Sequence, residues 1–364
     1  MNKIRIIHCL GKLDVGGAET LILNVLKNID RDRFQFDFLL FNDACGFYDD
    51  EVKQLGCNIY YTPSISDVGI LKYIKYLIKF FKDNSPDIVH SHMDWQGGFI
   101  AYAAYKAGIK KIIVHSHANQ KMFDLNIVYH CLIRLNKKLI SKYATHCLTC
   151  SRIAGDSLFL KNYTVLFNGI DTNKYIKPNK KIINDLKKEF NINENEIILG
   201  NVGSMSDNKN QTFLIDLLYE LHKKNKNYRL ILVGDGGQKE NLVKKVQMHN
   251  LEKYVYFTGI RKDIPEMMHL FDIFLLPSKT EGLGIVAIEA QISGIYCIVS
   301  NTIPNDVIVD KDGIQFVPLK VDNWIKVISD YEVTNKNKKL KDCSNFDIKR
   351  TTEVLEKIYD GCKK

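Results

Sequence analysis

The chain has 364 residues, 45% of them hydrophobic and 26% charged, with a net charge of +9. That length supports two domains with sizeable cores, and the composition is that of a soluble globular protein. No uninterrupted apolar run reaches about 18 residues, which excludes a membrane-spanning helix, and nine irregularly spaced cysteines argue for a reducing cytoplasm over a disulfide framework.

The first apolar run, Ile4–Leu10, is short and interrupted by Arg5, so it reads as a buried strand, not a signal peptide. Further strands are predicted at Phe34–Phe41, Cys57–Thr62, Asp87–His92, Lys110–His117 and Thr145–Ser151, separated by helical patterns. Within the last of these, Cys147 and Cys150 form a C-x-x-C with no second pair at ligand spacing, and read as buried thiols. Two basic stretches lie between the strands. Gly69–Lys82 places Lys72, Lys75, Lys79 and Lys82 at helical spacing, with Tyr73, Tyr76, Phe80 and Phe81 between them; His130–Lys142 carries Arg134, Lys137, Lys138 and Lys142. Such helices either lie on an anionic membrane or present a solvated lysine face. No nucleic-acid motif accompanies them.

After Thr164–Asp171 the composition turns polar, rich in Asn and Lys, and marks a domain boundary near residue 172. Strands resume at Ile197–Ser204, Tyr228–Gly236, Val255–Gly259, Asp272–Ser278 and Ile295–Ser300. The expected fold is α/β, with two mainly parallel sheets and a cleft between the two halves. The final stretch from residue 345 has a helical pattern.

The most specific segment is Glu281–Glu289, EGLGIVAIE, directly after a buried strand. Gly282 and Gly284 allow close backbone approach, and the helix that follows presents unpaired N–H groups and a positive dipole end to an anion. Glu281 and Glu289, up to roughly 12 Å apart if the span is helical, are acceptors for sugar hydroxyls. A diphosphate flanked by two hydroxyl acceptors is a nucleotide-sugar; the plain alternative is a strand-turn-helix with two surface glutamates. Lys209, in the loop after Ile197–Val202, is placed to neutralise a diphosphate leaving group. Gly16 and Gly17 follow the first strand, but a full G-x-G-x-x-G is absent, so a dehydrogenase is not expected. The repeated V-H-S-H ends strands with His90 and His92, then His115 and His117; each pair shares one strand face. Zinc binding by these histidines is a rival reading.

In order and spacing, Val15–Leu26, Asp87–Met93, Ile112–Asn119, Leu166–Asp171, Gly200–Ile215, Leu232–Gly237, Phe257–Met268 and Pro277–Gly294 resemble the family 4 retaining glycosyltransferases, in particular the bacterial capsule and exopolysaccharide branch. The resemblance covers nearly the whole chain. It implies the GT-B fold: an acceptor-binding Rossmann-like domain at 1–171, a nucleotide-sugar-binding one at 172–345, facing it across a central cleft, and a helix at 346–364 crossing back to the first. It implies a UDP-sugar donor, a lipid-linked oligosaccharide acceptor, and a peripheral position on the inner face of the cell membrane. It also implies no metal, no cofactor and no nucleic-acid partner.

Residue by residue, it implies catalytic roles for His117, Glu281 and Lys209. Glu289 would hold the ribose, and Gly282, Leu283 and Gly284 the diphosphate. Gly16 and Gly17 would lie near the transferred sugar, His115 or His92 beside His117 on the acceptor side, and Arg261 near the nucleobase. One departure stands out: Ser204 occupies the place where the family usually has an arginine, and Arg261 is the candidate to compensate. A nucleotide-sugar epimerase of the same fold, or a silent partner subunit, are the alternative functions.

Overall fold

The computed structural model describes residues 3–119, 127–224, 227–331 and 342–361. They form two compact units: one from residues up to Ile170 together with those from Asn345 onward, the other from Asp171 to Ser344.

The first unit is built on a parallel sheet of β1 (Ile4–Leu10), β2 (Phe34–Leu40), β3 (Ile59–Tyr61), β4 (Ile88–Ser91), β5 (Lys111–Ser116), β6 (His146–Thr149) and β7 (Thr164–Val165), ordered β3-β2-β1-β4-β5-β6-β7. Helices cover both faces, which is why strands such as β1 read as near-continuous apolar runs. One face packs against the helices Gly17–Asn28 and Ile348–Asp360, with Tyr359 fully buried. The other packs against Ile65–Asn84, Gly97–Lys106 and Ile127–Tyr143.

The two basic stretches fall on helices of this second face. Tyr73 and Phe81 are fully buried, and Phe80 is half-buried. Of the four aromatics between the lysines, only Tyr76 is exposed, because positions 73, 77 and 81 form the i, i+4 stripe that meets the sheet. Leu71, at 79% exposure, joins Tyr76 and the lysines on the outer face. The helix is kinked at Gly69, whose φ of 74° is non-helical. Cys147 and Cys150 are buried and unbridged, as their apolar setting led us to expect.

The second unit carries β8 (Ile197–Val202), β9 (Tyr228–Val233), β10 (Val255–Gly259), β11 (Ile273–Leu276), β12 (Tyr296–Ser300) and β13 (Ile314–Val317), ordered β10-β9-β8-β11-β12-β13. The edge strand β13 was not among the expected strands; with only four residues, half of them open to solvent, it lacks a buried run. In both sheets the strand order reverses beside the first strand, between β1 and β4 and between β8 and β11. Ligands of doubly wound folds bind at such switch points, beyond the carboxyl ends of the strands.

Candidate active site

In the second unit, the loops leaving β8 and β11 meet at the switch point. They are stitched together by main-chain and amide bonds: Lys279 N–H donates to the Asn208 carbonyl (2.8 Å), Asn208 Nδ2 to the Thr280 carbonyl (2.9 Å), and Asn210 Nδ2 to the Pro277 carbonyl (3.2 Å). This lacing brings Lys209 Nζ to 2.6 Å from Glu281 Oε1, with both side chains largely shielded from solvent. The two residues are 72 positions apart in sequence.

The β11 loop turns into the helix Ile285–Ile292 at Gly284, whose φ of 89° lies in the left-handed region. A Cβ there would find only ordinary contacts, so the backbone conformation, not space, requires glycine. Leu283 is buried in the core, which leaves only its backbone to serve a ligand.

Glu289 sits inside this helix, not at its mouth. Tyr175 Oη donates to its Oε1 at 2.7 Å. Burial pushes the Glu289 carboxyl up to about 7, with the Tyr175 bond opposing the shift. Tyr175 closes the short helix Thr172–Ile176, and its carbonyl lies 2.8 Å from His269 Nε2. Nothing in the local sequence marks Tyr175, which lies 114 residues from its partner.

Two expected residues stand apart from this pair. Ser204 is exposed, and its carbonyl accepts from Gln211. Arg261 donates to Asp263 through Nε (2.8 Å) and Nη2 (2.7 Å) and to Glu189 through Nη1 (2.8 Å), with its guanidinium over the Phe190 ring. Its donors are engaged by two carboxylates, which is not the geometry of a free phosphate clamp.

In the first unit, the parallel register sets His8 of β1 beside His90 of β4. His115 and His117, at the end of β5, continue the row. Their rings pack in succession, each tilted against the next: His90–His92 and His115–His117 at 4.2 Å, His92–His115 at 5.5 Å. His92 bridges neighbours on both sides, Nε2 to His8 Nδ1 at 3.1 Å and Nδ1 to His117 Nε2 at 2.9 Å. Burial drives His8 and His117 down to about 3 and holds His90, His92 and His115 well below the usual range, which favours the neutral imidazole in this row. His8 carries no sequence signal of its own, because a lone histidine in a strand is ordinarily structural; its alignment with the other pairs follows from the β1–β4 register.

Beside this row, Asp94 Oδ1 accepts from the backbone N–H of His117 (2.8 Å) and Ala118 (3.2 Å), and burial pushes its carboxyl up to about 6. Gly16 and Gly17 open the helix Gly17–Asn28, where burial lifts the Glu19 carboxyl to about 7; the Gly17 carbonyl accepts from Asn168 Nδ2 at 3.2 Å.

Two doubly wound units in one chain, each with its switch point furnished with polar side chains, form the GT-B architecture. The model for glycosyltransferase family 4 matches residues 15–174, and that for glycosyl transferases group 1 matches 182–349. The putative glycosyltransferase EpsF of Bacillus subtilis is 34% identical over 311 residues, covering 83% of this chain and 80% of that protein. The capsular polysaccharide biosynthesis glycosyltransferase CapH of Staphylococcus aureus is 27% identical over 98% of both chains. An Escherichia coli UDP-Gal:alpha-D-GlcNAc-diphosphoundecaprenol alpha-1,3-galactosyltransferase is 25% identical over 98% of this chain and 97% of its own. The crystal structure of Anabaena HepE in complex with UDP and glucose superposes with a TM-score of 0.81 at 19% identity, covering 98% of this chain and all of that one. The chain belongs to the group 1, family 4 glycosyltransferases. It is a glycosyltransferase of the kind that builds bacterial capsule and other surface polysaccharides.

Proposed function

We propose that this enzyme transfers a hexose, with retention of anomeric configuration, from a UDP-sugar to a polyprenol-diphosphate-linked saccharide. The observation that carries this reading is the Lys209–Glu281 pair at the β8/β11 switch point, beside the Gly282–Gly284 turn and the opening of the Ile285–Ile292 helix. The diphosphate takes Lys209 and the helix N–H groups, Glu281 takes hydroxyls of the transferred sugar, and Glu289 the ribose diol. The acceptor hydroxyl oxygen bonds to the anomeric carbon on the face the leaving group departs from. The bond from that carbon to the diphosphate breaks, and the acceptor proton passes to the departing phosphate oxygen. Gly16, Gly17 and His117, with His115 and His92, serve the sugar and acceptor. The relative from Escherichia coli, whose name gives a UDP-galactose donor and a diphosphoundecaprenol acceptor, supports both substrate classes.

The outer face of the first unit supports peripheral membrane attachment. Leu71 (79% exposed) and Tyr76 stand among Lys72, Lys75 and Lys79, and Ile127 (79% exposed) and Leu135 accompany Arg134 and Lys138 on the helix Ile127–Tyr143. Apolar side chains ringed by cations suit an anionic bilayer. Among the described residues, no helix is long and apolar enough to cross a membrane.

The test is an assay with a synthetic polyprenol-diphosphate sugar and a panel of nucleotide-sugars, with the product linkage read by NMR. Transfer from a UDP-sugar giving the donor's own anomeric configuration supports the proposal. An inverted product refutes retention, and donor isomerisation without transfer favours an epimerase.

A further inference from the structure

Resting on the function proposed above, we infer that Glu19 and Asn168, on either side of the Gly16–Gly17 turn, bind two hydroxyls of the acceptor saccharide and close this helix terminus to phosphate. Gly16 precedes the helix Gly17–Asn28, whose first N–H groups would otherwise suit an anion. The Glu19 carboxylate folds back directly over the Gly16 Cα, while the Asn168 amide packs against Gly17, its Nδ2 3.6 Å from where a Cβ would stand. A negative charge in that place repels a diphosphate and accepts from hydroxyl donors.

Both side chains have bonding capacity left over. Asn168 is only 5% exposed; its Nδ2 donates to the Gly17 carbonyl, and its Oδ1 has no partner. Buried polar atoms nearly always have one, and an amide oxygen can take only a donor. Glu19 accepts from its own backbone N–H, and among the described residues no other protein donor reaches it. A helix cap does not account for it either. A glutamate three places into a helix completes a capping box with a serine or threonine at the cap, and Gly16 has no side chain to offer. Burial lifts this carboxyl to about 7 against the pull of its own N–H, and the charges of Asp14 and Asp94 add to the rise. Asp14 is itself paired with Lys12 at 3.0 Å.

The surroundings suit a sugar ring. Tyr48 Oη lies 3.2 Å from Thr20 Oγ1, and Tyr48 N–H donates to the Leu13 carbonyl (3.0 Å), so the loop after β2 is drawn onto the loop after β1. This sets Phe47, exposed and edge-on to Tyr48, at the rim. Hydroxyl acceptors beside an aromatic surface match a ligand with polar edges and an apolar face. Asp94, whose charge reaches Glu19, also holds the His117 backbone, which ties the turn to the histidine assigned above to the sugar and acceptor.

The experiment uses the full chain with UDP present and a panel of methyl glycosides of hexoses and N-acetylhexosamines, read by saturation-transfer NMR. Steady-state kinetics follow on the polyprenol-diphosphate-linked forms of the sugars that bind. Expected is binding of at least one glycoside by the wild type. Glu19→Gln should weaken that binding, and raise the acceptor KM, by about 10-fold or more. Donor KM and calorimetric UDP affinity should change little. Asn168→Ala should act in the same direction. One monodeoxy form of the bound sugar should bind the wild type as weakly as the parent binds Glu19→Gln, and should lose nothing further in that variant. Glutamine keeps the length of the side chain and its bond to the Glu19 backbone N–H, so it provides a folded variant even if Asn168→Ala, which gives up the Gly17 bond, does not. An unchanged acceptor KM in Glu19→Gln overturns the site, and tighter UDP binding there returns the turn to the diphosphate. If no lipid-linked sugar is glycosylated, the substrate reading above fails, while glycoside binding lost with Glu19→Gln still upholds the site. A wild type that binds no glycoside overturns it.

Discussion

In the proposed site, Glu289 ties binding and stability together with opposite signs. Its carboxyl is raised from 4.5 to about 7, mainly by burial. At 1.36 kcal/mol for each tenfold change in proton affinity, that rise corresponds to about 3 kcal/mol. Between pH 4.5 and about 7 the unfolded chain releases this proton while the native chain keeps it, so this group's contribution to stability falls as pH rises and the full cost is present above about 7. Glutamine mimics the protonated acid and still accepts from Tyr175. Glu289→Gln should therefore leave stability nearly unchanged at pH 5 and raise it at pH 8 by up to about 3 kcal/mol. The same change should weaken UDP binding at pH 8 by roughly 1.5–3 kcal/mol, the value of a hydrogen bond to a charged group, or about 10- to 150-fold. Urea denaturation at the two pH values and calorimetric titration of UDP read both effects. Undiminished UDP affinity in the variant at pH 8 would falsify the ribose assignment. Lower stability at pH 8 would show that the carboxylate is a structural anchor, not a strained functional group.

Three more outcomes are expected. Lys209→Ala should lower kcat on the order of 100-fold; Ser204→Arg should restore part of that loss, and Arg261→Ala, whose side chain is held by Glu189 and Asp263, should cost less than Lys209→Ala. If steady-state kinetics rank Arg261→Ala as the costlier change, the phosphate belongs to the arginine. Tyr175→Phe removes the bond that opposes the rise in Glu289, so the pH midpoint of UDP binding, followed by calorimetry, should move upward; a midpoint that stays put contradicts the coupling. Replacing Lys72, Lys75 and Lys79 by glutamine should weaken sedimentation with anionic liposomes by up to about 3 kcal/mol, at about 1 kcal/mol per lysine, with the wild-type binding falling as salt rises; salt-independent binding would argue against the surface.

The two halves, the parallel sheets and the strand-turn-helix that carries Glu281 and Glu289 were legible because each depends on local pattern: apolar runs of strand length and glycines at a turn. What escaped reading depends on partners distant in sequence. Tyr175 reaches Glu289 only through the packing of the Thr172–Ile176 helix against Ile285–Ile292. The Lys209–Glu281 bond arises from two loops laced by asparagine side chains, although each residue was named separately. His8 became part of a row only through its pairing with His90. The aromatics of Gly69–Lys82 were identified as amphipathic, but which of them turn inward depended on the phase of the helix after the Gly69 kink.

The first unit is discontinuous in sequence. Its chain breaks off after Ile170 and resumes at Asn345, where Ile170 N–H donates to the Phe346 carbonyl (2.8 Å) and Ile348 N–H to that of Ile170 (2.9 Å). Ile348, Leu355 and Tyr359 complete a core begun by residues made more than 300 positions earlier. On the ribosome, then, the first half to emerge is the last to be finished. The second unit has its whole sequence available while the first still lacks the helix that seals one face of its sheet, with Leu21, Phe34 and Phe36 uncovered there. A chain that stops between residues 345 and 359 therefore has the whole sequence of the second unit but leaves the first with an open apolar face.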